Sequence, residues 1–270
     1  MTAIALTIAG SDSSGGAGIQ ADLKTFAALR VYGASVITAL TAQNTRGVEA
    51  VHVVPPDFVL AQMGAIARDL DVGAIKIGML ANKMVIDAVA EGLKLLPGVP
   101  VVLDPVMVAQ SGDVLLEEEA IDTLRSVLMP QATVVTPNLS EAARLLDAHE
   151  AGSFEEMKAQ ARRLHEMCGA AILVKGGHAE GEEAPDAYFD DRGEVEFRGA
   201  RLATANTHGT GCTLSAAIAA ELAKKTALRG AVAHGKIFVA GAIEHADDLK
   251  VGRGSGPVHH MHLLWTKVWP

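Results

Sequence analysis

The sequence predicts an α/β protein built on an open, doubly wound and mostly parallel sheet. Three observations carry this. Six short runs, at 4–10, 35–43, 74–80, 101–104, 133–136 and 171–176, are almost continuously apolar, as strands buried on both faces must be. Between them lie stretches of helical period at 17–29, 57–68, 83–95, 117–128, 140–146 and 153–167, and this alternation implies right-handed βαβ units. The composition agrees. A chain of 270 residues with 49% hydrophobic and 4% aromatic residues, and Gly 27 against Pro 10, suits Ala/Val/Ile/Leu-rich elements joined by tight turns rather than a β-sandwich. No low-complexity linker, charge block or internal repeat divides it, so 1–270 is expected to be a single domain.

Charge and cysteine content narrow the function classes. Asp+Glu 32 against Lys+Arg 23 gives a formal charge of −9, and without a basic run the chain is a poor partner for nucleic acid or an anionic membrane. Any phosphate it handles must be held locally. Cys168 and Cys212 sit in no CxxC spacing, which points to a reducing compartment. The N-terminus has no basic region before its apolar run, and no stretch approaches 18 apolar residues, so a soluble, cytoplasmic protein is expected.

In such a sheet ligands bind beyond the carboxyl ends of the strands. The first run leads into Gly10-Ser-Asp-Ser-Ser-Gly-Gly-Ala-Gly18 before helix 17–29. Residues 16–21 match GxGxxG/A, but five residues intervene after Gly10, and the second strand ends in Gln43-Asn44 with no acid for a ribose. A wide turn that lets backbone approach a ligand fits better than a dinucleotide loop. The third run ends near Met79 and the fourth in Asp104. After the fifth, Asn138 or Ser140 is an N-cap with Glu141 in the first turn, and capping by itself explains them. The sixth ends in Lys175, whose desolvated ammonium needs an anionic partner. Residues 187–197 read as a β-hairpin turning at Asp190–Gly193.

Two long Ala-rich helices follow, at 210–225 and 229–249. The first opens with Asn206-Thr207-His208-Gly209-Thr210-Gly211-Cys212-Thr213. Its glycines permit a nest of backbone N–H groups, backed by the helix dipole, that binds an anion without net charge. Cys212 falls in the first helical turn, where the thiol's usual value of about 8.5 is expected to be lowered. The same spacing equally fits a glycine-bounded turn with a small buried cysteine. Gly235-Lys236-Ile237 is no Walker A motif, His165-Glu166-Met167-Cys168-Gly169 lacks the second zinc histidine, and His259, His260 and His262 could bind a metal on spacing alone but read as packing or surface residues. Carboxylates without a catalytic histidine, a nest of N–H groups and one lysine suggest Mg²⁺-assisted phosphoryl transfer.

At these positions the chain resembles the ribokinase-like superfamily, and within it the hydroxymethylpyrimidine/phosphomethylpyrimidine kinases of thiamin biosynthesis. The motifs are Leu-Thr-Ile-Ala-Gly-Ser-Asp-Ser-Ser-Gly-Gly-Ala-Gly-Ile-Gln-Ala-Asp-Leu-Lys-Thr at 6–25, Ala-Gln-Asn-Thr at 42–45, Lys-Ile-Gly-Met-Leu at 76–80, Leu-Asp-Pro-Val-Met at 103–107, Ser-Gly-Asp at 111–113, Thr-Pro-Asn-Leu-Ser-Glu-Ala at 136–142, Lys-Gly-Gly-His at 175–178, Asn-Thr-His-Gly-Thr-Gly-Cys-Thr at 206–213 and Gly-Pro-Val-His-His at 256–260. They span nearly the whole chain in the family's order.

The resemblance implies a three-layer α/β/α fold and ATP-dependent phosphorylation of a hydroxymethylpyrimidine, then of its monophosphate. It implies that Gly10, Asp22, Gln43 and Met79 hold the pyrimidine. Gln43 suits an aminopyrimidine edge because its amide donates and accepts at once; on composition alone, Asp22 is a solvated helix position and Met79 is packing. Gly209, Gly211 and Cys212 would hold the transferring phosphoryl group, Lys175 would neutralise charge on ATP, and Asn138, Thr207 and Thr210 would bind ATP. Asp104 and Glu141 would position Mg²⁺ through water. Typical superfamily members carry Gly-Ala-Gly-Asp here, the Asp acting as base; with Cys212 in its place, the expectation is that the thiol accepts the proton or orients the hydroxyl. Residues 108–115 resemble a closing flap. A homodimer is also implied. The competing readings are a pyridoxal kinase, whose relatives carry a flap cysteine absent from Val108-Ala109-Gln110-Ser111, and a non-catalytic nucleotide-binding module.

Overall fold

The computed structural model describes residues 2–109, 112–177 and 184–265, so Gln110, Ser111 and His178 lie outside the described residues. Among the described residues the strands are β1 (Ile4–Asp12), β2 (Tyr32–Asn44), β3 (Gly47–Val53), β4 (Ala74–Ile77), β5 (Val101–Leu103), β6 (Val134–Val135), β7 (Ala171–Val174), β8 (Asp186–Asp190) and β9 (Gly193–Phe197). They form one sheet in the order β3-β2-β1-β4-β5-β6-β7-β8-β9. The six strands from β2 to β7 in that order pair in parallel, and they are the six apolar runs of the sequence. β8 and β9 are the expected hairpin, pairing antiparallel from Asp186↔Phe197 to Asp190↔Gly193.

The helices are α1 (Gly18–Ala28), α2 (Pro56–Ala67), α3 (Lys83–Leu93), α4 (Ile121–Thr123), α5 (Leu139–Leu146), α6 (Phe154–Cys168), α7 (Thr210–Ala223) and α8 (Leu228–Glu244). Successive strand residues point to opposite faces, and the two faces build two cores. Leu6, Ile8, Ile75, Ile77 and Leu103 pack under α2, α3, α5 and α6. Ala5, Ala74, Val102 and Val134 pack under α1, α7 and α8. The result is three layers. Small strand side chains on the second face let α7, buried from Thr213 to Ala223, lie close against the sheet, as a helix apolar on every side must.

Three expectations change. β3 is an edge strand antiparallel to β2; its residues are mostly exposed, so a search for continuous apolar runs passes over it. The helix expected at 117–128 is a chain of short turns: a 3-10 turn at Glu118–Ala120, α4, a π turn at Leu124–Leu128 and another 3-10 turn at Met129–Gln131. The last helix stops at Glu244 rather than 249. The chain moves from β1 outward to β2 and then back past β1 to β4. That reversal puts the topological switch point, where α/β sheets bind ligands, between the carboxyl ends of β1 and β4.

Candidate active site

One side of the candidate site grows from this switch point. Gly10 follows the Ala9 end of a register shift in β1 and faces Met79 beyond β4. A Cβ on Gly10 would stand 2.9 Å from the Met79 sulfur, so glycine lets the two strand ends close up without displacing the Met79 side chain. Gln43, near the end of β2, is tied to the loop after β1: its backbone N–H donates to Ser13 Oγ at 2.8 Å, and Ser13 Oγ donates to its carbonyl at 2.8 Å. Its side-chain Oε1 accepts from the Thr41 hydroxyl at 3.0 Å. Gln43, Asn44, Arg46, His208 and Ser255 line a pocket of about 360 Å³.

Below the crevice lies a sealed ion pair. Lys76 of β4 donates to both Asp22 oxygens, at 2.9 and 2.8 Å, and the Thr7 hydroxyl donates to Asp22 Oδ2 at 2.6 Å. Both charged side chains are 0% exposed. Asp22 is thus not the solvated helix residue its composition suggests. Its oxygens are engaged by Lys76 and Thr7. Burial by itself would strip the Lys76 proton, but Asp22, with Cys212 and Asp104 nearby, holds the ammonium above its ordinary value.

A second group gathers Asp104, Asn138, Glu141, Lys175, Gly211 and Cys212. Lys175 Nζ lies 2.7 Å from Asp104 Oδ1 and 3.9 Å from Glu141 Oε2. Asp104 also accepts from Thr136 at 3.2 Å and from Ser215 at 3.3 Å. Asn138 and Glu141 do form the expected capping box: Glu141 N donates to Asn138 Oδ1 at 2.8 Å, and Asn138 N to Glu141 Oε2 at 2.7 Å. Capping and a place beside Lys175 coexist in the same two residues. Gly209, with φ of 80°, caps α7. A Cβ on Gly211 would meet Lys175 Nζ at 3.3 Å and Asp104 Oδ2 at 3.6 Å, so the open N–H end of α7 looks onto this charged group. Thr210 closes the turn by donating its hydroxyl to the Thr207 carbonyl at 2.7 Å.

The electrostatics are set by burial against specific partners. Burial raises Glu141 to about 7, with Lys175 opposing and Asp104 reinforcing the shift. Asp104 would also be raised by burial, yet Lys175 and Lys76 hold it below its usual range. Cys212 corrects an expectation: burial pushes its thiol up to about 11, although Lys76 and the Gly18 backbone N–H pull it down. The helix terminus does not make it a resting thiolate.

Two carboxylates face one ammonium, and that excess of negative charge is a fit for a divalent cation. Mg²⁺ takes one or two carboxylates plus substrate phosphates and keeps several waters. Among the described residues no three His, Cys, Asp or Glu side chains converge into a metal cage; His259 and His260 are buried. No helix among the described residues is long and apolar enough to cross a membrane.

The main omission of the sequence reading is Lys76. Its signal was present, a lysine inside the apolar run 74–80, and it is the same signal that picks out Lys175. Asp12 and His208 were also passed over; they meet at 2.8 Å between the two sides of the site, and nothing local joins residues 196 positions apart.

A family profile described as phosphomethylpyrimidine kinase matches residues 12–259. The chain is 56% identical over 265 residues to a hydroxymethylpyrimidine/phosphomethylpyrimidine kinase of Rhizobium meliloti (strain 1021), covering 98% of this chain and 99% of that one. It is 54% identical to the protein of the same name from Escherichia coli (strain K12), covering 97% and 98%. Among solved structures, an ADP complex of Bacillus subtilis pyridoxal kinase superposes with a TM-score of 0.90 at 37% identity, over 98% of this chain and 100% of that one.

Proposed function

The chain belongs to the phosphomethylpyrimidine kinase family, and from that premise we propose that it transfers the γ-phosphoryl group of ATP to 4-amino-5-hydroxymethyl-2-methylpyrimidine and then to the resulting monophosphate, in thiamin biosynthesis. The observation that carries this reading is the approach of the α7 terminus to Lys175 and Asp104, 3.3 and 3.6 Å from the missing Gly211 side chain. Phosphoryl transfer asks for positioning and for stabilisation of charge on the transferred oxygens. The Gly209–Gly211 N–H groups and Lys175 supply that stabilisation. Asn138, Thr207 and Thr210 would border the nucleotide, and Asp104 and Glu141 would hold Mg²⁺. When bound, Mg²⁺ supplies neutralisation of phosphate charge.

Gly10, Met79 and Gln43 seat the pyrimidine, and Gln43 reads its aminopyrimidine edge. Asp22 acts through Lys76 and not on the ring. With its thiol at about 11, Cys212 is protonated at neutral pH. Its role is to orient the attacking hydroxyl, whose proton leaves late in a loose transition state and passes to an oxygen of the transferred phosphoryl group rather than to the thiol. The wider proposal is one ribokinase-like unit over 1–270 that works in the cytoplasm as a homodimer. The exposed edge strand β3 and Leu40 of β2, 46% exposed, support the dimer.

Pyridoxal phosphorylation is the second reading, favoured by the likeness to the Bacillus subtilis pyridoxal kinase. ADP release with Mg-ATP and each acceptor separately decides between them. Turnover of both pyrimidines is the expected result. Pyridoxal alone moves the function to that vitamin, and turnover of none favours a non-catalytic module. In the same assay Cys212→Ala slows turnover; full activity from pH 6 to 9 removes Cys212 from the mechanism.

A further inference from the structure

Asp12 is the hub of the loop that follows β1. Its Oδ1 accepts from Ser14 N at 2.8 Å and Ser14 Oγ at 2.7 Å; its Oδ2 accepts from Gly16 N at 3.1 Å, Ala17 N at 2.8 Å and His208 Nε2 at 2.8 Å. Burial opposes ionisation, but these donors, His208 foremost, hold the carboxyl down at about 2. An ionised carboxylate only accepts, so the Nε2 of His208 carries its proton and donates it to Asp12. Asp12 is 3% exposed and its oxygens are fully committed to the loop and to His208.

Around this bond the two sides of the site interlock without side chains. A Cβ on Gly16 would stand 2.2 Å from the His208 ring, and a Cβ on Gly209 would stand 1.9 Å from the Gly16 carbonyl oxygen. The acceptor-side loop and the anion-binding turn therefore touch backbone to backbone. His208 itself is anchored from behind: its N–H donates to the Gly256 carbonyl at 3.1 Å, and Val258 N donates to its carbonyl at 3.2 Å. The ring thus ties the loop at 12–18 to the residue immediately before Gly209.

We infer that the Asp12–His208 hydrogen bond is a latch that sets the spacing between the acceptor seat and the phosphoryl-binding turn, making both residues positioning residues for the transfer. This rests on the function proposed above. The latch touches neither Met79 and Gly10 on the acceptor side nor Asp104, Glu141 and Lys175 on the other, although His208 shares a pocket wall with Gln43; breaking it chiefly spoils the alignment of the two halves. Misplacement of reacting groups by about 1 Å costs on the order of 10²-fold in rate. The loss belongs chiefly to kcat, and the nucleotide KM is unchanged.

The test compares His208→Ala, His208→Gln, Asp12→Asn and the double variant Asp12→Asn/His208→Ala, with kcat and both KM values for each. A Gln side chain places an N–H donor near the position of Nε2, whereas it cannot act as a base. The expected result is a loss of about 10²-fold in kcat for His208→Ala, KM values within about threefold, and recovery of most of that loss in His208→Gln. In the double variant the losses overlap rather than multiply, as they do for two ends of one bond. Equal losses in Ala and Gln variants, KM rising at constant kcat, or multiplying losses overturn the latch. Amide hydrogen exchange provides the readout that does not need turnover: Gly16 and Ala17 lose protection in His208→Ala, and unchanged protection overturns the inference. A wild-type chain inactive on every acceptor but showing that exchange change refutes the proposed function and not the latch.

Discussion

Two lysines of this sheet end in carboxylate company, and their surroundings differ in one respect. Lys76 has a matched partner. Asp22 takes it at both oxygens, Thr7 adds a further hydrogen bond, and the charged side chains are 0% exposed. Lys175 is over-subscribed: Asp104 lies at 2.7 Å and Glu141 at 3.9 Å, and the lysine side chain remains 15% exposed. The first group is charge-balanced and closed. The second carries an unbalanced carboxylate, raised to about 7, beside an open helix terminus. A matched buried pair acts as a strut beneath the crevice, while the mismatched group is poised to meet a charged ligand.

The largest effect should come from breaking the strut. Lys76→Met strands the Asp22 carboxyl in the core, and loss of one partner of a buried pair costs about 3–5 kcal/mol. Urea unfolding should register that loss, and the double variant Asp22→Leu/Lys76→Met should regain most of it. A single variant as stable as the parent would show that the pair is no strut. Next in size is Lys175→Met, expected to lower kcat by roughly 10²–10³-fold, the usual cost of one preorganised charge-stabilising group. Its urea midpoint should move less than that of Lys76→Met, because Asp104 keeps Thr136 and Ser215 as donors. If stability falls as far and turnover barely changes, the two lysines are of one kind and the comparison fails.

The smallest effect is a pH dependence. A carboxyl raised to about 7 is ionised above that value and protonated below it. The kcat/KM for Mg-ATP, which reports the enzyme before metal and nucleotide bind, should therefore decline as pH drops through about 7, approaching tenfold per unit on the acid side. Glu141→Gln should be slow throughout and lack this limb. A wild-type profile flat from pH 5.5 to 8 would separate Glu141 from the rate.

Legibility from sequence follows the range of the interactions involved. The six parallel strands were readable because burial on both faces forces a continuous apolar run, and the hairpin because Asp190–Gly193 has turn chemistry. β3 was not, since an exposed edge strand escapes a filter built on burial. The capping box at Asn138 and Glu141 was also readable, its two members being three residues apart. Its neighbour Lys175 was readable only as a cation in need of a partner.

By itself, then, the sequence determined the parallel centre of the sheet, the strand ends where chemistry gathers, and the family that its ordered motifs resemble. Each of these is written in periodicity or in contiguous residues. Tertiary structure alone decided which carboxylate each lysine meets, that Asp22 is buried, that His208 reaches Asp12, and that the Cys212 thiol rises instead of falling. The reason is physical: a helix terminus is a local feature and lowers a thiol's pKa wherever it occurs, but desolvation depends on everything folded around the sulfur, and here it is the larger effect.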